Sequence, residues 1–245
     1  MAKPRVALVT GSATGIGRAV AWRLADRGLA IAVNYSKSMA EAEETADGVR
    51  ARGALVRLQR ANVGDDAAVR AMVEGTVEEF GGLDILVNNA ATTYFVAHTD
   101  LDGLTDQVWD DILQVNLMGT FYGCRAAMPH LKLRMGNIVN IASVAGIAGS
   151  GSSIAYAASK GAVITLTKSL AKAFAPEVRV NAVAPGPVRT RWLADHQDMV
   201  EQAMTVTPLK RPATADDVAD AAVFLAVGTS LMTGQLVVVD GGRTI

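Results

Sequence analysis

The sequence predicts one doubly wound α/β domain over residues 1–245, in which a parallel seven-stranded sheet is flanked by helices. Strand-like apolar runs alternate with longer helical stretches along the whole chain, which is typical of βαβ units. Most runs are continuous Val, Ile, Leu and Ala segments, as expected for strands covered on both faces. No Pro-rich linker, repeat or shift in composition divides the chain.

The expected elements follow one another in regular order. We expect strands at residues 5–10, 30–35, 54–59, 83–88, 136–142, 178–184 and 235–239, and helices at 15–27, 39–52, 65–80, 109–131, 154–175 and 215–227. The least regular stretches, 91–105 and 189–212, each follow the C-terminal end of a strand, the edge where open α/β sheets bind ligands. Both are candidate substrate loops. Trp192 in the second is as well placed to cover a substrate as to pack on a helix.

Composition argues against several classes of partner. Lys and Arg total 23 against 24 for Asp and Glu, a net charge of −1, whereas nucleic-acid binders usually carry a basic surplus. No apolar run approaches the roughly 18 residues that span a bilayer, and no signal-peptide core precedes the first strand. The single cysteine, Cys124, allows no intrachain disulfide, and three scattered histidines predict no metal site. We expect a cytoplasmic protein with neither nucleic acid nor membrane as partner.

A glycine-rich loop follows the first strand. Residues 10–17 read TGSATGIG and lead directly into a helix. Glycines allow a sharp turn and a close approach to phosphate, and the helix N-terminus supplies free N–H groups. A tight turn alone would also require glycines, but the position in the first βαβ unit favours a dinucleotide site of the Rossmann type.

Tyr156 and Lys160 are four residues apart on an expected helix, so their side chains share one face. An ammonium near a phenol favours the phenolate and lowers a pKa that starts near 10. The pair is therefore a candidate for proton transfer at neutral pH. An ordinary surface pair has the same spacing, so the spacing alone leaves both interpretations open.

Further motifs accompany this pair in a fixed order. They are NNA at 88–90, Asn116, Ser143, YAASK at 156–160, PG at 185–186 and DGG at 240–242. With the glycine loop they resemble the short-chain dehydrogenase/reductase family over residues 5–242. The resemblance implies an oxidoreductase that transfers hydride between a nicotinamide and a ketone or secondary alcohol. Its implied catalytic residues are Tyr156 as general acid, Lys160 lowering its pKa and binding the nicotinamide ribose, Ser143 polarising the carbonyl, and Asn116 organising a water relay. Its implied cofactor contacts are Gly11, Thr14, Gly15, Ile16, Gly17, Tyr35, Ser36, Lys37, Asn62, Val63, Asn89, Ala90, Tyr156, Lys160, Pro185, Gly186, Val188 and Thr190.

The end of the second strand favours NADP(H) over NAD(H). A carboxylate there would bind the adenosine ribose of NAD and repel a 2′-phosphate. Residues 34–38 read NYSKS and no acid appears before Glu41. Ser36 and Lys37 suit a phosphate instead. Thr14, where many NADP-using relatives carry a basic residue, keeps NAD(H) open.

The chain is similar in detail to bacterial 3-oxoacyl-ACP reductases and related carbonyl reductases, through TPLKRP at 207–212 and the closing VVVDGG. Arg134 matches a basic position that those reductases use toward acyl carrier protein, but Glu177 falls near the second. We therefore expect a small-molecule ketone or alcohol as substrate. The resemblance also implies a homotetramer. The alternatives are a non-catalytic NADP(H)-binding redox sensor, and epimerisation or dehydration of a nucleotide sugar.

Overall fold

The computed structural model describes residues 4–193 and 196–245, so positions 194–195 of the irregular stretch 189–212 lie outside the described residues. It contains one sheet of seven strands in the order β3-β2-β1-β4-β5-β6-β7. Every neighbouring pair is parallel. The strands are β1 Val6–Val9, β2 Ala30–Tyr35, β3 Val56–Arg60, β4 Ile85–Asn88, β5 Asn137–Ile141, β6 Arg179–Pro185 and β7 Leu236–Val239. The predicted fold class is confirmed.

Helices fill both faces of this sheet. They are α1 Gly15–Ala25, α2 Met39–Ala51, α3 Asp66–Phe80, α4 Asp106–Leu113, α5 Gly119–Leu133, α6 Ala145–Ala148, α7 Ile154–Phe174, α8 Gln197–Val206 and α9 Ala215–Val223. A 3₁₀ turn at Arg191–Leu193 and π-helical turns at Gln114–Met118 and Phe224–Gly228 complete the described elements. The short α6, the 3₁₀ turn and α8 lie in stretches where the sequence predicted no regular structure.

The central strands are buried on both sides, which explains their continuous apolar sequence. Successive residues of a strand point to opposite faces. Val9 accordingly belongs to the core under α1, α2 and α9, whereas Leu8 belongs to the core under α3, α5 and α7. A fully buried side chain such as Leu8 contributes about 1.5–3 kcal/mol to the free energy of unfolding. The edge strands β3 and β7 are only partly buried.

Side-chain caps set where several helices begin. Asp65 accepts hydrogen bonds from the backbone N–H groups of Ala67 and Ala68 at 2.9 and 3.2 Å and starts α3. Ser153 accepts from the Tyr156 N–H at 3.2 Å and starts α7. Such bonds satisfy N–H groups that the helix itself leaves unpaired. The Thr14 side chain before α1 makes no such bond. The first backbone N–H groups of α1 therefore lack a side-chain cap and can bind a ligand.

The stretch 109–131, predicted as helical, is helical without a break, and a π-helical turn at Gln114–Met118 joins α4 to α5 within it. The π turn carries Asn116, whose amide is 99% buried and bonds both backbone groups of Thr92. Its side-chain oxygen accepts from the Thr92 N–H at 2.8 Å, and its nitrogen donates to the Thr92 carbonyl at 3.0 Å. Inserted π turns are often found where a side chain must be re-aimed for such a purpose.

Candidate functional site

A cleft of about 1010 Å³ opens at the C-terminal ends of the strands. It includes the point where the strand order reverses, between β1 and β4, which is the usual ligand position in an open α/β sheet. One end lies over β2 and β3, and the other lies over β5, β6 and β7.

The glycine loop forms the floor of the cleft beside β1. Gly11 and Gly15 have φ angles of +59° and +57°, a region that side chains with a Cβ rarely adopt. The loop delivers α1 with its uncapped N-terminus at the cleft, and no acidic residue lies in the first turn of α1. Free N–H groups and the positive end of the helix dipole make this a fitting place for a pyrophosphate.

Gly17 does not line the cleft, contrary to its predicted cofactor contact. A Cβ on Gly17 would lie 2.6 Å from both the Asn89 amide nitrogen and the Gly11 carbonyl oxygen. Asn89 in turn donates 2.9 Å hydrogen bonds to the carbonyls of Thr10 and Gly11. Gly17 therefore serves the close packing of the loop, and it affects a cofactor only through the shape of that loop.

Two residues that sequence reasoning missed hold the loop in place. The Thr10 hydroxyl accepts from the N–H groups of Asn89 and Ala90, at 2.9 and 3.1 Å. The buried Asn34 accepts from the Gly11 N–H at 2.9 Å and donates to the Ala61 carbonyl at 3.1 Å. Polar side chains at the ends of three adjacent strands thus fix the loop. The only sequence signal was a polar residue within an apolar strand.

The β2–β3 end of the cleft carries two basic residues, Lys37 and Arg60, beside the carboxylate of Asp65, which caps α3. Ser36 and Lys37 are exposed and line the cleft, together with Asn62 and Arg60. Arg60, the last residue of β3, was not predicted as a site residue. The Glu41 carboxylate is engaged by the Arg191 guanidinium at 2.7 Å. A backbone hydrogen bond, and after it this ion pair, hold the pKa of Glu41 below its usual range. Thus the charge of Glu41, the first acidic residue after β2, is already neutralised by Arg191.

At the other end of the cleft, Tyr156, Ser143 and Lys160 meet. Lys160 is 97% buried and donates a 2.9 Å hydrogen bond to the Ile141 carbonyl. The Ser143 hydroxyl oxygen accepts from the Ala145 N–H at 3.1 Å, which leaves its O–H free to donate. Ser143 also interacts with the Tyr156 hydroxyl. One hydroxyl, one phenol and one ammonium therefore face the same volume.

The expected effect of Lys160 on Tyr156 is absent in this state. Burial raises the pKa of Tyr156 to about 12, and the interaction with Ser143 opposes that rise only in part. Burial also lowers the pKa of Lys160 to about 8. The Lys160 nitrogen lies 5.7 Å from the centroid of the Tyr156 ring. Desolvation therefore outweighs the electrostatic effect inferred from the i, i+4 spacing, and the phenol keeps its proton at neutral pH.

Asn116 lies outside the cleft wall. Besides its two bonds to Thr92, its amide donates to the Ser159 hydroxyl at 3.0 Å, and Ser159 donates to the Tyr156 carbonyl at 2.7 Å. These contacts join the loop after β4 to α7, the helix that carries the tyrosine. No direct hydrogen bond joins the described side chains of Asn116 and Lys160, so the water relay stays a prediction.

Most of the predicted site residues are brought together, and a few are not. Val63 is 94% buried beneath the π turn, where the Gly119 backbone packs against it, and it does not line the cleft. The predicted residues that do line the cleft are Gly11, Thr14, Gly15, Ile16, Tyr35, Ser36, Lys37, Asn62, Asn89, Ala90, Ser143, Tyr156, Lys160, Pro185, Gly186, Val188 and Thr190.

Aromatic side chains cover the Tyr156 end. The Trp192 ring centroid lies 6.2 Å from that of Tyr156, and Trp192 lines the cleft. Phe95 lines it too, and its ring stacks on His196 with centroids 3.6 Å apart. The two irregular stretches predicted as substrate loops therefore meet over the cleft. Phe95 lies in the predicted substrate loop 91–105, whereas Arg243, a further residue of the cleft wall, was missed by the sequence analysis.

The fold and cleft define a class: a nucleotide-dependent oxidoreductase with a proton-transfer group at the reactive end. A family model described as enoyl-(acyl carrier protein) reductase matches residues 11–244. The chain belongs to the short-chain dehydrogenase/reductase family and acts as an NAD(P)(H)-dependent oxidoreductase.

Curated relatives align over nearly the whole chain. One named as ketoacyl reductase 2 of the granaticin polyketide synthase, from Streptomyces violaceoruber, is 44% identical over 97% of this chain and 95% of its own. The 3-oxoacyl-(acyl-carrier-protein) reductase FabG of Staphylococcus aureus is 40% identical over 99% of each chain. A solved short-chain dehydrogenase from Burkholderia cenocepacia, in complex with NADP, is 34% identical with a TM-score of 0.93 over 98% of each chain.

Two further observations bear on other kinds of site. In the described part of the chain, no helix is long and apolar enough to cross a membrane. Cys124 is fully buried, accepts a 3.3 Å hydrogen bond from the Asn88 amide, and has its pKa raised to about 12 by burial. It is therefore a packing residue, since thiolate is the reactive form.

Proposed function

We propose that this protein reduces a ketone of the 3-oxoacyl type to the secondary alcohol, with NADPH as the hydride donor. The observation that carries the proposal is the meeting of Ser143, Tyr156 and Lys160 at one end of a cleft whose other end carries two basic residues. When bound, the nicotinamide supplies a hydride to the carbonyl carbon. The residues of the chain then have to bind the carbonyl, hold it and protonate its oxygen.

We assign a task to each of the three residues. The Ser143 O–H, which interacts with the Tyr156 hydroxyl in the free protein, orients and polarises the carbonyl oxygen. The Tyr156 phenol, protonated at neutral pH because burial raises its pKa to about 12, gives its proton to that oxygen as the hydride arrives. Carbon thus gains the hydride and oxygen gains the proton. Lys160, with a pKa near 8, is positioned to exchange a proton close to neutral pH as the phenol is restored.

Positive charge at the β2–β3 end supports NADPH. Lys37 and Arg60 line the cleft there with Ser36, and Glu41 is neutralised by Arg191. Such a site would accept a 2′-phosphate, whereas a carboxylate at the end of β2 would repel it. The NADP complex of the Burkholderia cenocepacia relative is consistent with this choice.

The substrate class follows from the names of the relatives, several of which are ketoacyl or 3-oxoacyl reductases. Docking of an acyl carrier protein has weaker support. The Arg134 guanidinium donates to the Gly81 carbonyl at 2.6 Å, which uses part of its donor capacity within the chain. Glu177 falls near the second expected basic position. A small-molecule ketone is therefore the preferred substrate.

We also propose that the protein is cytoplasmic and forms a homotetramer. Apolar side chains remain exposed on α6 and β7, at Ile147 and Val238. On α5 the rings of Phe121 and Tyr122 lie 6.3 Å apart, with the Arg125 guanidinium over both. Surfaces of this kind are typical of subunit interfaces. Light scattering at micromolar concentration tests this point, and a monomer of 25.6 kDa would contradict it.

Oxidation of NADPH and NADH at 340 nm, measured against a panel of ketones that includes a 3-oxoacyl thioester, tests the activity. We expect turnover with NADPH on at least one ketone, and slower turnover with NADH. Binding of both cofactors without turnover, in either direction of the reaction, would favour the non-catalytic redox sensor instead.

A further inference from the structure

We propose that Arg243 forms an anion subsite in the substrate half of the cleft and selects ketones that carry a carboxylate. The proposal rests on the function proposed above and narrows its substrate class to oxo acids. Three observations support it. One guanidinium nitrogen of Arg243 is unpaired, Arg243 follows β7 in the strand order, and the neighbouring charged groups already have hydrogen-bond partners.

The Arg243 side chain is half-buried, and one nitrogen of its guanidinium is buried without an acceptor among the described residues. Its side chain lines the cleft, and its Nη1 atom is inaccessible to solvent and has no hydrogen-bond partner among the described residues. A guanidinium stays charged at every physiological pH. Burying a charge without a counter-charge is costly, so buried arginines in proteins are normally paired. An unpaired one that faces a ligand cleft is therefore best explained by an acceptor on the ligand.

The neighbouring carboxylate is not that acceptor. Asp240 accepts from the Gly242 N–H at 2.8 Å, and from the N–H and hydroxyl of Thr244 at 2.9 and 2.7 Å. These bonds, with one from the Arg243 backbone N–H, hold the pKa of Asp240 below its usual range. Asp240 thus shapes the turn after β7 that presents Arg243, and the Arg243 Nη1 atom keeps no partner in the described part of the chain.

The strand order separates Arg243 from the cofactor phosphates. The glycine loop follows β1, and the basic groups suited to a 2′-phosphate follow β2 and β3. Arg243 follows β7, on the opposite side of the sheet centre, with β5 and β6 between it and the β1–β4 crevice. Ser143 follows β5. We therefore assign Arg243 to the substrate half of the cleft.

The other cations of the cleft already have acceptors or lie at the cofactor end. Lys160 donates to the Ile141 carbonyl. Arg191 is paired with Glu41 and also donates to the Ser38 hydroxyl at 3.0 Å. Lys37 and Arg60 lie at the β2–β3 end. Within the described part of the cleft, Arg243 is the cation at the substrate end that lacks a partner.

A carboxylate is the anion we favour. The planar guanidinium matches a carboxylate with two parallel N–H donors. The aromatic rings of Trp192 and Phe95 line the same half of the cleft and suit a short hydrocarbon between the ketone and the acid. A thioester at the same position would be neutral and would leave the guanidinium unpaired.

The test compares oxo acids with their methyl esters. For wild-type protein, kcat/KM is measured with NADPH on 3-, 4-, 5- and 6-oxo acids and on the ester of each. For the oxo acid whose length lets its carboxylate reach Arg243, we expect kcat/KM to exceed that of its ester by about 10- to 100-fold. This is the effect of one hydrogen bond to a charged group. Arg243→Gln should lower kcat/KM for that acid by the same factor, mainly through KM, and change the ester less than about 3-fold. Arg27→Gln, at an exposed arginine beyond α1, is the matched control and should change neither.

A binding measurement separates this proposal from the proposed activity. Hexanoate and hexanamide are titrated into NADPH-loaded wild-type and Arg243→Gln protein by calorimetry. We expect hexanoate to bind the wild type at least about tenfold more tightly than hexanamide, and the variant to lose that preference. Equal binding of the two, or equal turnover of acids and esters at every length, would overturn the anion subsite. If esters are reduced, the ketone reductase would stand. An absence of turnover with preserved hexanoate selectivity would refute the activity and leave the subsite intact.

Discussion

The Lys160 ammonium donates its hydrogen bond to the Ile141 carbonyl, and its nitrogen lies 5.7 Å from the centroid of the Tyr156 ring. The lysine is thereby anchored to the end of β5 and not to the phenol. Both groups are desolvated, and their pKa values move in opposite directions, to about 8 for the lysine and about 12 for the tyrosine. The free protein therefore holds a protonated acid beside a cation that titrates close to neutral pH.

Replacement of Lys160 by Met should reveal this burial as a pH-dependent stability. A lysine in the unfolded chain keeps its proton up to about pH 10.5, whereas folded Lys160 loses it through about pH 8. The unfolded state binds more protons between these values, so the stability of the wild type relative to Lys160→Met rises with pH in that window. We expect a gain of about 2 kcal/mol between pH 7 and pH 9.5, from 1.36 kcal/mol per pKa unit.

Urea unfolding at fixed protein concentration measures this difference. The matched control is Lys172→Met, at an exposed position on the same helix, whose stability relative to wild type should not vary with pH. A wild-type advantage that stays flat, or that falls as pH rises, would show that Lys160 is not held in a desolvated state.

The Tyr156 hydroxyl carries a second prediction. Tyr156→Phe removes the proton donor and leaves the ring beside Trp192, so ketone reduction should fall by about 10²- to 10⁴-fold, the usual contribution of a general acid. NADPH binding should stay within about 3-fold of wild type, because the phenol acts on the substrate oxygen. Steady-state kinetics and cofactor fluorescence measure the two effects.

Tyr122→Phe is the control for that change, since Tyr122 lies on α5 outside the cleft. It should leave kcat unchanged. Near wild-type turnover by Tyr156→Phe would mean that another group protonates the carbonyl oxygen.

How far the sequence specifies this site differs from residue to residue. The glycine loop and the Tyr156–Lys160 pair were predictable because local spacing and one strand–helix turn place them. Arg60 was not, because its role arises from the pairing of β2 with β3, which brings Arg60 opposite Tyr35. The direction of the Tyr156 pKa shift was also wrong, since burial by residues distant in sequence outweighs a neighbour on the same helix. The π turn at Gln114–Met118 was not predictable either, because the spacing of apolar residues does not distinguish it from the helix around it.

Cofactor choice should depend on the two basic residues at the β2–β3 end. Lys37→Ala and Arg60→Ala each remove one positive charge that would face a 2′-phosphate. Each should raise KM for NADPH by about tenfold and leave KM for NADH within about 2-fold, since a hydrogen bond to a charged group is worth roughly 1.5–3 kcal/mol. The NADH measurement is the internal control, because it keeps every contact except that with the phosphate. An equal rise in KM for both cofactors would mean that Lys37 and Arg60 shape the loop and do not bind the 2′-phosphate.

Gly17 offers a test of loop packing that is separate from chemistry. Its Cβ in Gly17→Ala would lie 2.6 Å from the Asn89 amide nitrogen and the Gly11 carbonyl oxygen, so the loop or α1 must move. We expect a loss of about 1–3 kcal/mol in the free energy of unfolding, and at least about tenfold weaker NADPH binding as the α1 N-terminus shifts.

Gly75→Ala is the matched change within a helix, on α3. There the nearest atom to the new Cβ is the amide end of Gln59 at 3.1 Å, a flexible group that can give way. Helix propensity should make this variant neutral or more stable by up to about 1 kcal/mol. Thermal unfolding with and without NADPH compares the two variants. If Gly17→Ala binds NADPH as tightly as Gly75→Ala does, close packing at Gly17 does not set the shape of the cofactor loop.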